Sequence, residues 1–231
     1  MTETQPSVWL FDIRIDEPVT VITNLLVTAV CFYAYFRVKD SLEVSKFQRF
    51  IKYYFLILGV AVGIGGIAGH GFLYALSIAW KLPGWLLSII SITLLERAII
   101  EKTRFLLTHS MHNFLIWVSG VKLVAFMFLT SYTVNFQFVG YHTGLGLLFI
   151  VASCSAFTFF KIKNTGSSLY VLGVMMSALS GVIFMNKWGV SMWFNHIDIS
   201  HVFMSMACYF FYKATVNLNI KQVDGIMVLE K

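Results

Sequence analysis

The run Asn195-His196-Ile197-Asp198-Ile199-Ser200-His201 is the densest cluster of polar side chains inside any apolar stretch of the chain. His70 and His142 lie in apolar stretches of their own. Ionisable groups are costly in such surroundings, so those that persist usually face a bundle interior and mark a site. Three imidazoles meeting in a dry interior match the ligand set of a catalytic Zn2+, which keeps a fourth position for water and lowers that water's pKa to about 7. His70, His196 and His201 are the candidate metal ligands, and Asp198 is the candidate orienting group or catalytic general base. The bland alternative is a set of histidines hydrogen-bonded between helices without any metal.

Helical spacing constrains this set. Asp198 and His201 are three residues apart and share a face, whereas His196 and His201 stand about 140° apart around a regular helix. With Asn195 as N-cap and Asp198 at the third helical position, His196 falls in the first turn, where fraying would turn its ring inward; a π-bulge would do the same. A second constellation precedes the first apolar stretch, where Asp12, Asp16 and Glu17 stand ahead of Asn24. Oxygen-rich sets of this kind bind hard cations such as Ca2+, although solvated acids are the ordinary alternative. Lys122 sits in the middle of its apolar stretch with no carboxylate evident at the same depth; with His142 it makes a further polar pocket. A Schiff-base lysine for retinal is expected in the last helix, which offers only Lys213 at its inner end.

The elements that must position these groups follow from composition. Of 231 residues, 58% are hydrophobic and 12% charged, which leaves too little polar surface for a water-soluble globule. Apolar stretches near 20–37, 51–80, 83–100, 112–133, 136–160, 168–186 and 192–216 each match the about 20 helical residues that cross a bilayer. The expected fold is an all-α membrane protein, a seven-transmembrane helix bundle. Domain organisation reads as an acidic N-terminal segment 1–19, a transmembrane domain 20–217 and a cytoplasmic tail 218–231. Lys and Arg crowd the first, third and fifth connections and the tail, against Arg14, Lys81 and Lys187 on the other side. The N-terminus is therefore expected outside and the C-terminus in the cytoplasm, in a cytoplasmic membrane of bacterial type. The same asymmetry accounts for the net charge of +6, so lipid headgroups rather than nucleic acid are the expected partners. On this topology His70 lies about 16 Å and His201 about 14 Å below the outer helix ends, with His142 in the same half. Glycines at 59, 63, 65, 66, 69 and 71 suit close helix packing or room for a ligand. Cys31, Cys154 and Cys208 read as small apolar packers.

Three segments carry a resemblance: "DEPVTVITNLL" ahead of and into the first helix, "GGIAGHGFLY" in the second and "NHIDISHVFMSMACYFFYKA" in the seventh. With the seven-span topology they resemble the CREST superfamily of membrane hydrolases, which includes alkaline ceramidases, adiponectin-receptor-like proteins and hemolysin III-like proteins. The resemblance implies Ca2+ near Glu17 and Asn24, and zinc held by His70 with His196 and His201. This chain departs from the pattern at Gly66, where the family has a serine, and at Ile197, where it has the first histidine of the helix-7 pair. It also lacks the family's helix-3 aspartate, Glu96 lying at the other end of that helix. The expected function is a zinc-dependent intramembrane hydrolase acting on an amide or ester bond of a lipid. The alternatives are a non-enzymatic lipid- or metal-binding membrane protein and, more remotely, a haem b electron carrier using His70 and His201.

Overall fold

Apolar stretches satisfy their backbone polar groups internally by forming helices, and the described residues form seven long ones. In the computed structural model, which describes residues 5–38, 45–217, 220–223 and 226–229, these are α1 (Pro18–Arg37), α2 (Lys46–Gly71), α3 (Leu82–Thr103), α4 (His109–Thr133), α5 (Gln137–Ile162), α6 (Thr165–Asn186) and α7 (His196–Val216). An antiparallel hairpin of β1 (Val8–Leu10) and β2 (Ile13–Ile15) precedes them, and a second, β3 (Ile220–Val223) with β4 (Ile226–Leu229), follows. The architecture is the all-helical bundle expected. Among the described residues, six helices are long and apolar enough to cross a membrane, as an integral membrane protein requires. The exception is α7. It has the length, 21 residues, but His196, Asp198, Ser200 and His201 dilute its apolar character.

Helix starts follow local chemistry. Ser45 and Gln48 form a capping box at α2, and Asn164 caps α6 by accepting the Ser167 N–H. Asn195 and Asp198 form the same reciprocal pair at α7, where the spacing placed them. Pro18 occupies the first turn of α1, where its missing N–H costs nothing.

Two helices contain a wide π-helical segment, Ile67–Gly71 at the end of α2 and Gly146–Ala152 within α5. The first corrects an expectation. A helix running to residue 80 would bury His70 deeply; instead α2 ends at Gly71, and a short 3-10 turn, Ile78–Lys81, leads into α3. His70 therefore sits in the last turn of α2. Each glycine here lowers helix propensity by about 1 kcal/mol, and the Gly71 carbonyl accepts the Asp16 N–H at 3.0 Å, which ties the helix end to the hairpin strand.

The apolar core fills the other half of the bundle, where Ile51, Tyr54, Phe55, Leu95, Ile99 and Phe211 are sequestered. Phe211 stacks on Tyr170 with ring centroids 5.9 Å apart, and Gly173 makes the room: a Cβ there would lie 2.5 Å from the Phe211 ring. Lys102, which counted as a loop charge in the sequence, is instead wholly buried in α3. It donates to Ser167 Oγ at 2.7 Å and lies 4.7 Å from the Tyr170 ring centroid. Cys31 and Cys208 face each other across α1 and α7 as buried free thiols.

Candidate functional site

The first turns of α1 present Glu17, Thr20 and Thr23 at intervals of three, one face of a helix. That face meets the end of α2 and the start of α7 beneath the N-terminal hairpin. Asp198 is the centre of the arrangement and is fully buried. Its Oδ2 accepts from Gln5 Nε2 at 2.6 Å and from the Asn195 backbone N–H at 2.8 Å. Its Oδ1 accepts from the Thr20 hydroxyl at 2.8 Å and lies 3.4 Å from Thr23 Oγ1. Donors of this number stabilise a buried carboxylate without a cation beside it.

Gln5 has no helical periodicity to announce it, and the sequence reading missed it. The signal that could have found it is negative. Glu17 at the N-cap of α1 is held in the left-handed region (φ 46°, ψ 54°) and makes no side-chain cap, so the first amides of α1 need another acceptor. Gln5 Oε1 supplies it, accepting from the N–H groups of Val19 at 3.1 Å and Thr20 at 3.4 Å. Gln5 thus pins the hairpin to both α1 and α7.

Freed from capping, the Glu17 carboxylate is paired with His70 Nδ1. That hydrogen bond, helped by the nearby Lys81 ammonium, holds the Glu17 carboxyl below the usual carboxylate range despite its partial burial. In the neutral ring, donation from Nδ1–H to the carboxylate leaves His70 Nε2 as a bare lone pair. His201 reaches the same state by another route. Its Nδ1 is 3.0 Å from Thr23 Oγ1, and that hydroxyl's one proton faces only acceptors, Thr20 O at 3.1 Å and Asp198 Oδ1. With the proton directed to either of these, the hydroxyl oxygen accepts from His201 Nδ1–H, the tautomer in which Nε2 of His201 is bare. Neither Nε2 has a hydrogen-bond partner among the described residues.

The remaining candidates are placed elsewhere. His196 begins a regular α7 and turns to α6, its ring 5.7 Å from that of Phe184. The splay anticipated from helical spacing holds, and no fraying or bulge cancels it. Among the described residues no group of three or more His, Cys, Asp and Glu side chains is gathered closely enough to hold a metal ion. The three-imidazole set expected at His70, His196 and His201 thus does not assemble. Asp198 contributes no ligand, because both of its oxygens are taken. The acids read as a calcium set are likewise dispersed. Asp16 accepts from Ser7 Oγ at 2.6 Å and Arg14 Nε at 2.8 Å, Glu17 holds His70, and Asp12 occupies the tight turn of the hairpin with φ 63°. Asn24 donates from Nδ2 to Thr20 O at 2.9 Å, and its side chain fills the space at Gly66, where a Cβ would come within 2.6 Å of Asn24 Cβ.

His142 and Lys122 do share a pocket, but with a partner the sequence concealed. Lys122 forms an ion pair with the fully buried Glu96 of α3, donates to the His142 carbonyl at 3.0 Å, and is joined through Glu96 Oε2 to the Ser119 hydroxyl at 2.7 Å. His142 Nε2 lies 3.3 Å from Thr93 Oγ1. Gly146 opens the π segment of α5, where a Cβ would collide with the carboxylate of Glu96 and lie 2.7 Å from Lys122 Nζ. His142 therefore belongs, with Lys122, to the α3–α4–α5 interior, apart from the polar cluster under the hairpin.

Comparison with known proteins adds one finding. Residues 19–219 match the DUF6962 family, described as a family of unknown function. The chain belongs to the DUF6962 family. The matched stretch takes in all seven helices and begins after Gln5 and Glu17, so the hairpin and its two anchoring side chains lie outside it. No curated protein and no solved structure matches.

Proposed function

We propose that this DUF6962 protein spans a membrane seven times, with its N-terminal hairpin outside, and that the polar cluster under the hairpin binds a ligand through the Nε2 atoms of His70 and His201. The single observation behind this reading is the matched state of the two rings: each has Nδ1 engaged by an oxygen and Nε2 without a partner. Histidines oriented in this way by an oxygen at Nδ1 are the form in which imidazole binds first-row divalent metals, so such a metal ion is the ligand class the cluster suits. The orientation rests on the basic connections at the opposite end. In this reading α7 crosses as the seventh span, its polar face covered by α1 and the hairpin.

A catalytic zinc takes three protein ligands and an open position. His196 and Asp198 are committed elsewhere, so these residues supply two of the three, and binding rather than zinc hydrolysis is the reading they favour. Hydrolysis of a lipid amide or ester is the second reading, favoured by one feature. The Glu17–His70 pair is the carboxylate–imidazole arrangement that makes a general base.

Metal analysis of purified protein tests the first reading. After loading with Zn2+ and removal of free ion, the wild type and His196→Ala are expected to retain metal near one equivalent, and His70→Ala and His201→Ala to lose it. A wild type that retains none, or a loss confined to His196→Ala, overturns it. Turnover of N-acyl and ester lipids by the wild type, abolished in His70→Ala, would establish the second.

A further inference from the structure

Two grooves run along α4, and both are lined almost entirely by apolar side chains. Each contains one cation. In the groove between α4 and α5, about 550 Å3, the cation is Lys122, whose charge is met by Glu96 and the His142 carbonyl. In the other, about 660 Å3, it is Arg97 of α3, among Trp117, Gly120, Val121 and Val124 of α4. Arg97 has no hydrogen bond and no ion pair among the described residues, and its neighbour Glu96 points away to Lys122 and Ser119. Its guanidinium rests against the backbone of α4 where Gly120 leaves space, since a Cβ there would lie 3.3 Å from Nη2.

A guanidinium in apolar surroundings needs a counter-anion. Among the described residues no carboxylate comes within ion-pair distance of Arg97, Glu96 and Glu101 of α3 acting on it only from farther off, and the groove opens outward along α4. We propose that this groove is a binding site for an anionic phospholipid, its phosphate on Arg97 and an acyl chain along Val121 and Val124. The inference rests on the membrane reading above. The planar fork of arginine matches phosphate oxygens in pairs. Arg97 precedes Leu106, the end of its span, by about 14 Å of helix, a depth a phosphate reaches where the leaflet thins around a guanidinium. That end of the molecule carries Arg104 and His109 and, on the orientation proposed, faces the anionic leaflet.

The test reconstitutes the full chain in vesicles of phosphatidylcholine mixed with phosphatidylglycerol and measures, by native mass spectrometry, which lipid stays bound after extraction. Phosphatidylglycerol is expected to be enriched on the wild type, and Arg97→Gln to lower that enrichment roughly tenfold. Gly120→Leu, which fills the groove, is expected to do the same, while Arg97→Lys loses part of it. Arg104→Gln, basic at the same end but outside the groove, keeps it. Undiminished enrichment in Arg97→Gln overturns the site, as does an equal loss in Arg104→Gln, which would mean unspecific attraction. Helical circular dichroism of each variant identifies a loss caused by misfolding, and Arg97→Lys then decides. Release of the wild type from membranes by alkaline washing would overturn the membrane reading and the site together.

Discussion

Among the described residues the bundle buries two carboxylates, and it treats them differently. Glu96, between α3, α4 and α5, faces a full cation, Lys122, and the surrounding polar atoms of Ser119 and the His142 carbonyl close the cluster. Asp198, between α1, α7 and the hairpin, faces no cation; neutral donors from Gln5, Thr20 and Asn195 surround it. A closed ion pair fixes the relative rotation of three helices and has nothing left to offer. The Asp198 network is open at its edge, where two imidazoles keep a free nitrogen each. Buried polarity therefore serves as a fastener in one region and as the support of two half-engaged imidazoles in the other.

The sharpest way to break this comparison is at the fastener. Lys122→Met leaves Glu96 buried without its counter-charge, a change that costs about 3–5 kcal/mol in comparable pairs. The expected result is a large drop in thermal unfolding midpoint of the detergent-solubilised protein, with Zn2+ retention on the surviving folded fraction unchanged. Combining it with Glu96→Gln, which removes the orphaned charge, should restore a substantial part of the loss. An equal effect of Lys122→Met and the double variant would show that packing, not charge, holds the three helices.

Removal of Asp198 should come next in size. Asp198→Ala strands the Gln5 amide, the Thr20 hydroxyl and the Asn195 N–H in the interior, an expected loss of about 2–3 kcal/mol. Unlike Lys122→Met it should also lower metal retention, because Thr23 and His201 lose the acceptor that sets their proton arrangement. If Asp198→Ala and Lys122→Met affect stability and retention in the same ratio, the division between fastener and scaffold fails.

What could be read in advance, and what could not, follows the same division. The seven helices were legible because hydropathy acts locally and their lengths match a bilayer. The Asn195–Asp198 cap was legible for the same reason: a capping box needs only two residues three positions apart. So was the splay of His196 from His201, which regular helical geometry imposes. The Glu96–Lys122 pair was hidden, because it depends on the rotation of α3 against α4 and on a π segment in α5 that lets Gly146 pass the carboxylate. Neither quantity is encoded in spacing along one helix. His70 was misplaced in depth because its apolar run continues through residues that turn rather than wind. Gln5 was invisible because its role is set by a left-handed Glu17 twelve residues later.

Gly66 sharpens the comparison at the contact between α1 and α2. Gly66→Ser adds a side chain whose Cβ would lie 2.6 Å from that of Asn24. The helices must separate, at an expected cost of about 1–3 kcal/mol, and the Glu17–His70 pair should loosen with them. Gly66→Ser combined with Asn24→Ala should relieve the overlap, which differential scanning of the two variants would reveal. Equal destabilisation by both would place the strain elsewhere.

Gln5 gives the smallest expected effect and the finest test of the scaffold. Gln5→Ala removes the acceptor for the Val19 and Thr20 amides and one of the donors to Asp198, while the Thr20 hydroxyl and the Asn195 N–H remain. The global loss should be about 1 kcal/mol, the scale of one helix cap. The local loss should be larger, because Gln5 is the only side chain among the described residues that hydrogen-bonds to both α1 and Asp198 from the segment ahead of β1. Hydrogen exchange is the measurement that separates the two. The amides of Val19 and Thr20 should lose protection in Gln5→Ala, while those of α3 and α4 around Glu96 and Lys122 keep theirs. Uniform loss of protection across both regions would mean that the two buried carboxylates belong to one cooperative unit.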